Sequence, residues 1–333
     1  MATIKDMIPA FDLLQPDSVE NAVALLKEHG DGAWVLAGGL DTFDWLKDRI
    51  KRPSVLVDIG GIEELYGIRD SQGGLEIGAM TTLSDIVNHQ RISSEFSLLA
   101  NAAEHVATPQ IRNQGTLGGN VSQDTRCWYY RSGWPCYRAG GNICYASAPL
   151  AMNREHAIMG TSRCVAVNPS DTAPALIALD AKMVVQSPRR RTIDAEDYFI
   201  GPSTDITRMT VLKPGDGDLL TQIHIPETWA NSSFYYEKVR DRGSWDFQLV
   251  SVAAAFQMSG GTIENARIAV NGVAPYPVRL EGVERLVRGT SGDEATQIAA
   301  GDLAIATAKA LNHNDYKIPM MRNLVRRAVR SVA

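Results

Sequence analysis

No apolar stretch in this sequence approaches the roughly 20 residues that a membrane-spanning helix requires, and the opening Met1–Asp6 lacks the charged-then-apolar pattern of an export signal. By its own sequence the chain is expected in the cytoplasm, with the periplasm reachable through co-export beside a signal-bearing partner. Positive charge is also short: 33 Lys and Arg stand against 38 Asp and Glu, a net charge of -5, so no clustered field for nucleic-acid phosphates is expected. The densest basic run, Arg189 to Arg191, follows Ser187-Pro188 and reads as a solvated turn. Three nucleotide and hydrolase signatures are missing as well. Without G-x-G-x-x-G, a G-x-x-x-x-G-K-[ST] loop or a G-x-S-x-G elbow, neither a nicotinamide Rossmann domain nor an acyl-transfer nucleophile is supported. His29, His89, His105, His156, His224 and His313 stand singly along the chain. No catalytic residue is assigned to it.

Cysteine is scarce but clustered. Cys127, Cys136, Cys144 and Cys164 all fall in one short segment of a 333-residue chain. A disulfide framework is disfavoured in a large chain that builds its own core, which leaves a four-thiolate metal site as the better account. Structural zinc usually uses tight C-x2-4-C knuckles, whereas these spacings are long and irregular. Long loops converging from several sides suit the four corners of an iron-sulfur cubane. Spacing alone favours iron-sulfur over zinc and leaves zinc, or no metal, open.

Around that segment the periodicity is ordinary. Residues 17–29 read as an amphipathic helix capped by Asp17 or Ser18 and stopped at Gly30. The run Trp34 to Ala37 then feeds Gly38-Gly39-Leu40-Asp41-Thr42, a strand entering a tight turn whose unhindered N–H groups suit a phosphate. Residues 54–59 and 74–79 read as strands and 84–89 as the start of a helix. A second glycine-rich stretch runs from Thr108 through Gly115-Thr116-Leu117-Gly118-Gly119-Asn120. A dinucleotide pyrophosphate needs close backbone approach from more than one side, which two such loops supply.

Ala37-Gly38-Gly39, the run from Pro109 to Asn120, and Pro169-Ser170-Asp171 resemble the FAD-binding domain of the molybdenum hydroxylase medium subunits, the flavin subunits of xanthine dehydrogenase, carbon monoxide dehydrogenase and aldehyde oxidoreductases. Tyr236 to Arg242, Asn271 to Arg279 and Tyr316 to Ala328 resemble their C-terminal flavoprotein domain. Two departures stand out: Leu40 occupies a position where Thr is common, and residues 123–165, holding every cysteine, interrupt the path from Asn120 to Asp171. That insertion resembles the cluster-bearing one of the periplasmic aldehyde oxidoreductase flavin subunit and, less closely, that of 4-hydroxybenzoyl-CoA reductase.

The resemblance implies an α/β (α+β) fold: a two-lobed FAD-binding domain over 1–228, with lobes at 1–62 and 63–228, and a C-terminal domain over 229–333. In that second domain, strands at 234–239, 249–258 and 263–271 should form a three-stranded antiparallel sheet, followed by helices at 294–311 and 320–331. It implies non-covalent FAD held by Ala37, Gly38, Gly39, Leu40, Asp41 and Thr42 at the pyrophosphate, by Thr108, Gly115, Thr116, Gly118, Gly119 and Asn120 at ribityl and phosphate, and by Asp171 at the ribose or adenine end. Ile223 is placed at the cofactor and Lys238 beside the isoalloxazine, although Asp171 also suits a helix cap and Lys238 a surface pair with Glu237 or Asp241. Cys127, Cys136, Cys144 and Cys164 would ligate a [4Fe-4S] cluster. Partners would be a large subunit with the molybdenum cofactor, a small subunit with [2Fe-2S] clusters, and an external one-electron acceptor. The expected activity is aldehyde oxidation on the partner. The alternatives are a freestanding flavin oxidoreductase, a 4-hydroxybenzoyl-CoA reductase or xanthine dehydrogenase-like flavin subunit, and a zinc-stapled scaffold.

Overall fold

Ser18 starts the first helix by accepting a hydrogen bond from the Asn21 N–H, and Val19, Ala22, Val23 and Leu26 form the buried stripe of Val19–His29 at the spacing of one helix face. A computed structural model describes residues 7–333; the opening Met1–Asp6, where no export signal is expected, lies outside the described residues. The helix covers a small parallel sheet of β1 (Asp12–Leu14), β2 (Ala33–Leu36) and β3 (Val55–Asp58) in the order β1-β3-β2. Val55, Leu56 and Val57 are buried in succession, as a central parallel strand requires.

The second lobe is built on an antiparallel sheet of β4 (Ile68–Ser71), β5 (Gly74–Gly78), β6 (Lys182–Gln186), β7 (Arg191–Asp194) and β8 (Leu219–Pro226), ordered β4-β5-β8-β6-β7. Helices Leu83–Asn88, Ser97–Glu104, Leu117–Ser122 and Ala173–Ala178 contribute Leu83, Leu98, Leu99, Leu117 and Leu176 to its core. Residues 123–165 form an almost loop-only excursion whose α-helix spans only Trp128–Arg131. Its last residues are anchored elsewhere. Ile158 N–H donates to Val273 O at 2.8 Å, and the Asn314 amide donates to His156 O at 3.0 Å.

The C-terminal sheet contains the expected strands as β9 (Ser233–Val239), β10 (Val250–Ser259) and β11 (Thr262–Asn271), with a two-residue β12 (Val278–Arg279) added at its edge. Gly260 and Gly261, both at positive φ (57° and 77°), close the β10–β11 hairpin in the conformation that matches strand twist. The helix expected over 294–311 stops at Ala304. Beyond it, Lys309 N–H is taken by Ile158 O at 2.7 Å and Leu311 N–H by the Asn314 side chain at 2.6 Å, so tertiary partners replace helical ones. The final helix spans Lys317–Arg330, beginning before the expected residue 320.

Candidate functional site

The first glycine-rich loop leaves β2, the second joins the helix Pro109–Gln114 to the helix Leu117–Ser122, and the two face each other. Gly38 lies so close to the second loop that a Cβ there would sit 2.3 Å from Gln114 O. Gly118 donates to Ala79 O at 2.8 Å, and its Cβ would sit 2.8 Å from both the Cβ and O of Ala79. Gly39 has φ +78°, a left-handed conformation that costs a side-chain-bearing residue about 1–2 kcal/mol. Close backbone contact at Gly38 and Gly118 and the left-handed conformation at Gly39 are the physical reasons for glycine.

Between them runs a cavity of about 450 Å³. Its wall includes Ala37, Gly38, Gly39, Leu40, Asp41, Thr42, Gly115, Thr116, Gly118, Gly119, Asn120 and Asp171, so twelve of the residues expected at the cofactor converge. The Thr116 hydroxyl caps the second loop, accepting from Gly119 N–H at 3.0 Å. Asn120 points away from the glycines and accepts from Ser170 Oγ at 2.6 Å and Thr172 Oγ1 at 2.7 Å. It thereby fixes the segment that carries Asp171.

Three expected residues are not on that wall. Thr108 is turned into a helix cap, its hydroxyl accepting from Ile111 N–H at 3.4 Å, and Val106 and Ala107 line the cavity instead. Ile223 is fully buried in the sheet core; the part of β8 that reaches the cavity is Leu219 and Leu220. Lys238 is neither at the wall nor at the surface. Its fully buried ammonium lies 2.7 Å from Asp171 Oδ2 and donates to His105 O at 3.0 Å and Asp246 O at 2.8 Å. Asp171 therefore does not cap the next helix, whose N-cap is Thr172. Burial raises the Asp171 carboxyl to about 6 against the pull of Lys238, and burial lowers the Lys238 ammonium despite Asp171. Among the described residues Asp171 Oδ1 has no hydrogen-bond partner. That oxygen is a ready acceptor for a ligand hydroxyl or N–H in the cavity.

The wall also contains residues that sequence did not suggest. Asp124, Arg126 and Arg138 arrive from the insertion, and Trp245, Asp246 and Phe247 from the loop before β10. Arg126 lies over the Phe247 ring at 4.6 Å. No local pattern marks these positions, since each arrives through a long-range fold contact.

All four cysteines are free thiols and line one second, smaller cavity with Tyr129, Tyr130, Tyr145 and Arg138. Burial pushes the Cys127 thiol up to about 12, with Cys164 and Cys144 adding to the shift. A thiolate there is therefore unfavourable until a cation compensates it. His156 Nε2 stands 3.3 Å from Cys127 Sγ. Among the described residues no group of three or more His, Cys, Asp or Glu side chains is arranged to hold a metal ion. The donor set is nevertheless all sulfur, soft and enclosed by aromatic rings. Arg138 lines both cavities.

Residues 9–228 match the model described as the FAD binding domain in molybdopterin dehydrogenase, and residues 234–332 the CO dehydrogenase flavoprotein C-terminal domain. The chain is 34% identical to the aldehyde oxidoreductase FAD-binding subunit PaoB of Escherichia coli, covering 89% of this chain and 90% of that one. It is 31% identical to the carbon monoxide dehydrogenase medium chain of Hydrogenophaga pseudoflava, covering 96% of each. The solved carbon monoxide dehydrogenase of Hydrogenophaga pseudoflava lacking the Mo-pyranopterin moiety superposes with a TM-score of 0.78 at 30% identity over 98% of both chains.

Proposed function

The chain belongs to the FAD-binding medium subunits of the molybdenum hydroxylase family, and from that premise we propose that it binds both FAD and a [4Fe-4S] cluster and relays electrons out of an aldehyde-oxidising complex. The observation that carries this reading is the pair of cavities sharing Arg138: one enclosed by both glycine loops, the other by all four cysteines. When bound, FAD accepts electrons in pairs and releases them singly, and a cluster carries one at a time. What the chain itself contributes is binding and electrostatics. Gly38 and Gly39 would bring backbone N–H groups close to the pyrophosphate, Gly118 and Gly119, whose own N–H groups brace the second loop, would let its backbone lie close, and Asp171 Oδ1 offers an acceptor held in place by Lys238. The four cysteines supply an all-thiolate ligand set, which suits an iron-sulfur centre.

Substrate oxidation belongs to a large partner subunit with a molybdenum cofactor, joined by a small subunit with [2Fe-2S] clusters. Aldehydes are the substrate class favoured by the similarity to the Escherichia coli aldehyde oxidoreductase subunit. A one-electron carrier beside the flavin favours a one-electron acceptor such as a ferredoxin or cytochrome over NAD. Efficient NAD reduction by the assembled complex, with negligible turnover of ferricyanide or ferredoxin, would refute that assignment. The cofactor content is tested on anaerobically purified chain by absorption spectrum and metal analysis. One FAD and four irons are expected, with iron reduced or lost in Cys164→Ser. One zinc and no iron would overturn the cluster.

A further inference from the structure

The side chain of Asp41, in the first glycine loop, does not turn toward the cavity alone. Oδ1 receives Arg131 Nη2 at 2.6 Å and Arg126 Nη2 at 3.0 Å, and Oδ2 accepts from Asp124 N–H at 3.3 Å. All three donors belong to the cysteine-bearing insertion. The remaining contact, Trp45 Nε1 to Oδ2 at 3.0 Å, comes from the helix that follows the loop. Arg131 lies over that same Trp45 ring at 3.7 Å and donates through Nε to Thr125 O at 3.0 Å.

Arg131 is not part of the cavity wall. Its position is set by Cys127, the N-cap of the short helix Trp128–Arg131, whose carbonyl accepts the Arg131 N–H at 2.9 Å. On the other side, Arg138 follows Cys136 by two residues and holds Asp124 through a buried ion pair. Residues next to two of the cysteines thus converge on the loop that encloses the flavin. The insertion has little regular structure of its own to keep them there.

We propose that the insertion is a clamp on the first glycine loop, in which a metal centre bound by the four cysteines fixes Arg131, Arg126 and Asp124 on Asp41 and so strengthens FAD binding. The proposal rests on the cluster reading above and adds a linkage that the cluster alone does not require. Ligation orders a loop-rich segment, and the ordered segment holds the loop before flavin arrives. The linkage is reciprocal, so bound FAD should also slow loss of iron. Arg131 is a positioning residue that acts through Asp41.

Dissociation constants for FAD, measured by flavin fluorescence on the full chain with its iron in place and after anaerobic chelation, test the clamp. Iron-stripped wild type should bind FAD at least about fivefold more weakly than the iron-loaded form, within the usual range of coupling between sites. Iron-loaded Arg131→Met should show a similar loss, and stripping its iron should add little. Equal affinities for loaded and stripped wild type overturn the clamp without recourse to any variant, and so do losses that simply multiply. Iron analysis separates the two readings: iron-loaded protein with unlinked affinities refutes the clamp alone, whereas protein that never holds iron refutes both.

Discussion

Replacing Gly38 with alanine tests whether direct backbone contact between the two loops builds the flavin site. The added Cβ would lie 2.3 Å from Gln114 O, 3.2 Å from Gln114 C and 3.4 Å from Gly115 Cα. Every one of these atoms is main chain, so no side chain can swing aside. An ordinary carbon–oxygen contact is about 3.3–3.6 Å, and the loops must therefore separate by about 1 Å. Overpacking of this kind costs about 1–3 kcal/mol, and both loops line the cavity, so the strain falls on its shape. If most of it is relieved by opening the cavity, FAD affinity should fall about 5- to 150-fold. Flavin fluorescence quenching gives the dissociation constant, and thermal unfolding of the apo chain shows how much of the cost the fold itself absorbs. Gly61→Ala is the control, since a Cβ there meets nothing within 4 Å. If Gly38→Ala kept stoichiometric FAD, with affinity and melting temperature both unchanged, the loop-contact argument would fail. Gly39→Val should also lose flavin, for a different reason: φ is +78° and the Cβ would meet Phe43 Cε2 at 2.7 Å, a ring that can move while the backbone strain cannot.

Lys238→Met should destabilise the chain by about 3–5 kcal/mol in urea unfolding at neutral pH, because the buried Asp171 loses its cation and must either stay charged or take up a proton that the unfolded chain does not bind. With the carboxyl already raised to about 6 by burial, the defect should shrink in acid, and a pH-independent loss would contradict the pairing. Lys317 is fully buried and donates to Glu155 O at 2.9 Å and Gly272 O at 2.7 Å, and burial lowers its ammonium from 10.5 to about 7. Near and above pH 7 the unfolded chain binds this proton more readily than the folded one, so the group's contribution makes stability rise between about pH 7 and 10.5, by a few kcal/mol. Lys317→Met should remove that slope, and an unchanged slope would exclude Lys317 as its source.

The local elements were legible because their signals are short-range. Ser18 caps its helix, the alternating and apolar runs of β3, β5, β10 and β11 form strands, and Gly260-Gly261 makes its hairpin; each is decided by dihedral preference and burial within a few residues. Eleven residues of the cavity wall lie in the two glycine-rich loops, whose composition advertises close backbone approach, while Asp171 was reached only through the family resemblance. Chain proximity of the four cysteines likewise announced a shared pocket. Side-chain direction in β8 was not legible: Ile223 and Leu220 are both apolar, and only the packing of β8 between β5 and β6 determines which residues face the core and which reach the cavity. Nor was the Asp171–Lys238 pair, whose partners lie 67 positions apart and meet because β9 packs beside the segment held by Asn120. The local alternatives, a helix cap and a surface ion pair, were physically sound and were displaced by burial. Sequence by itself determined the elements, the loops and the clustering of thiols, because those depend on neighbours along the chain. Tertiary structure alone decided that Asp124, Arg126 and Arg138 join the cavity wall and that Arg131 grips Asp41, because the energy of a charge pair depends on distance and desolvation in space, and neither is encoded in spacing.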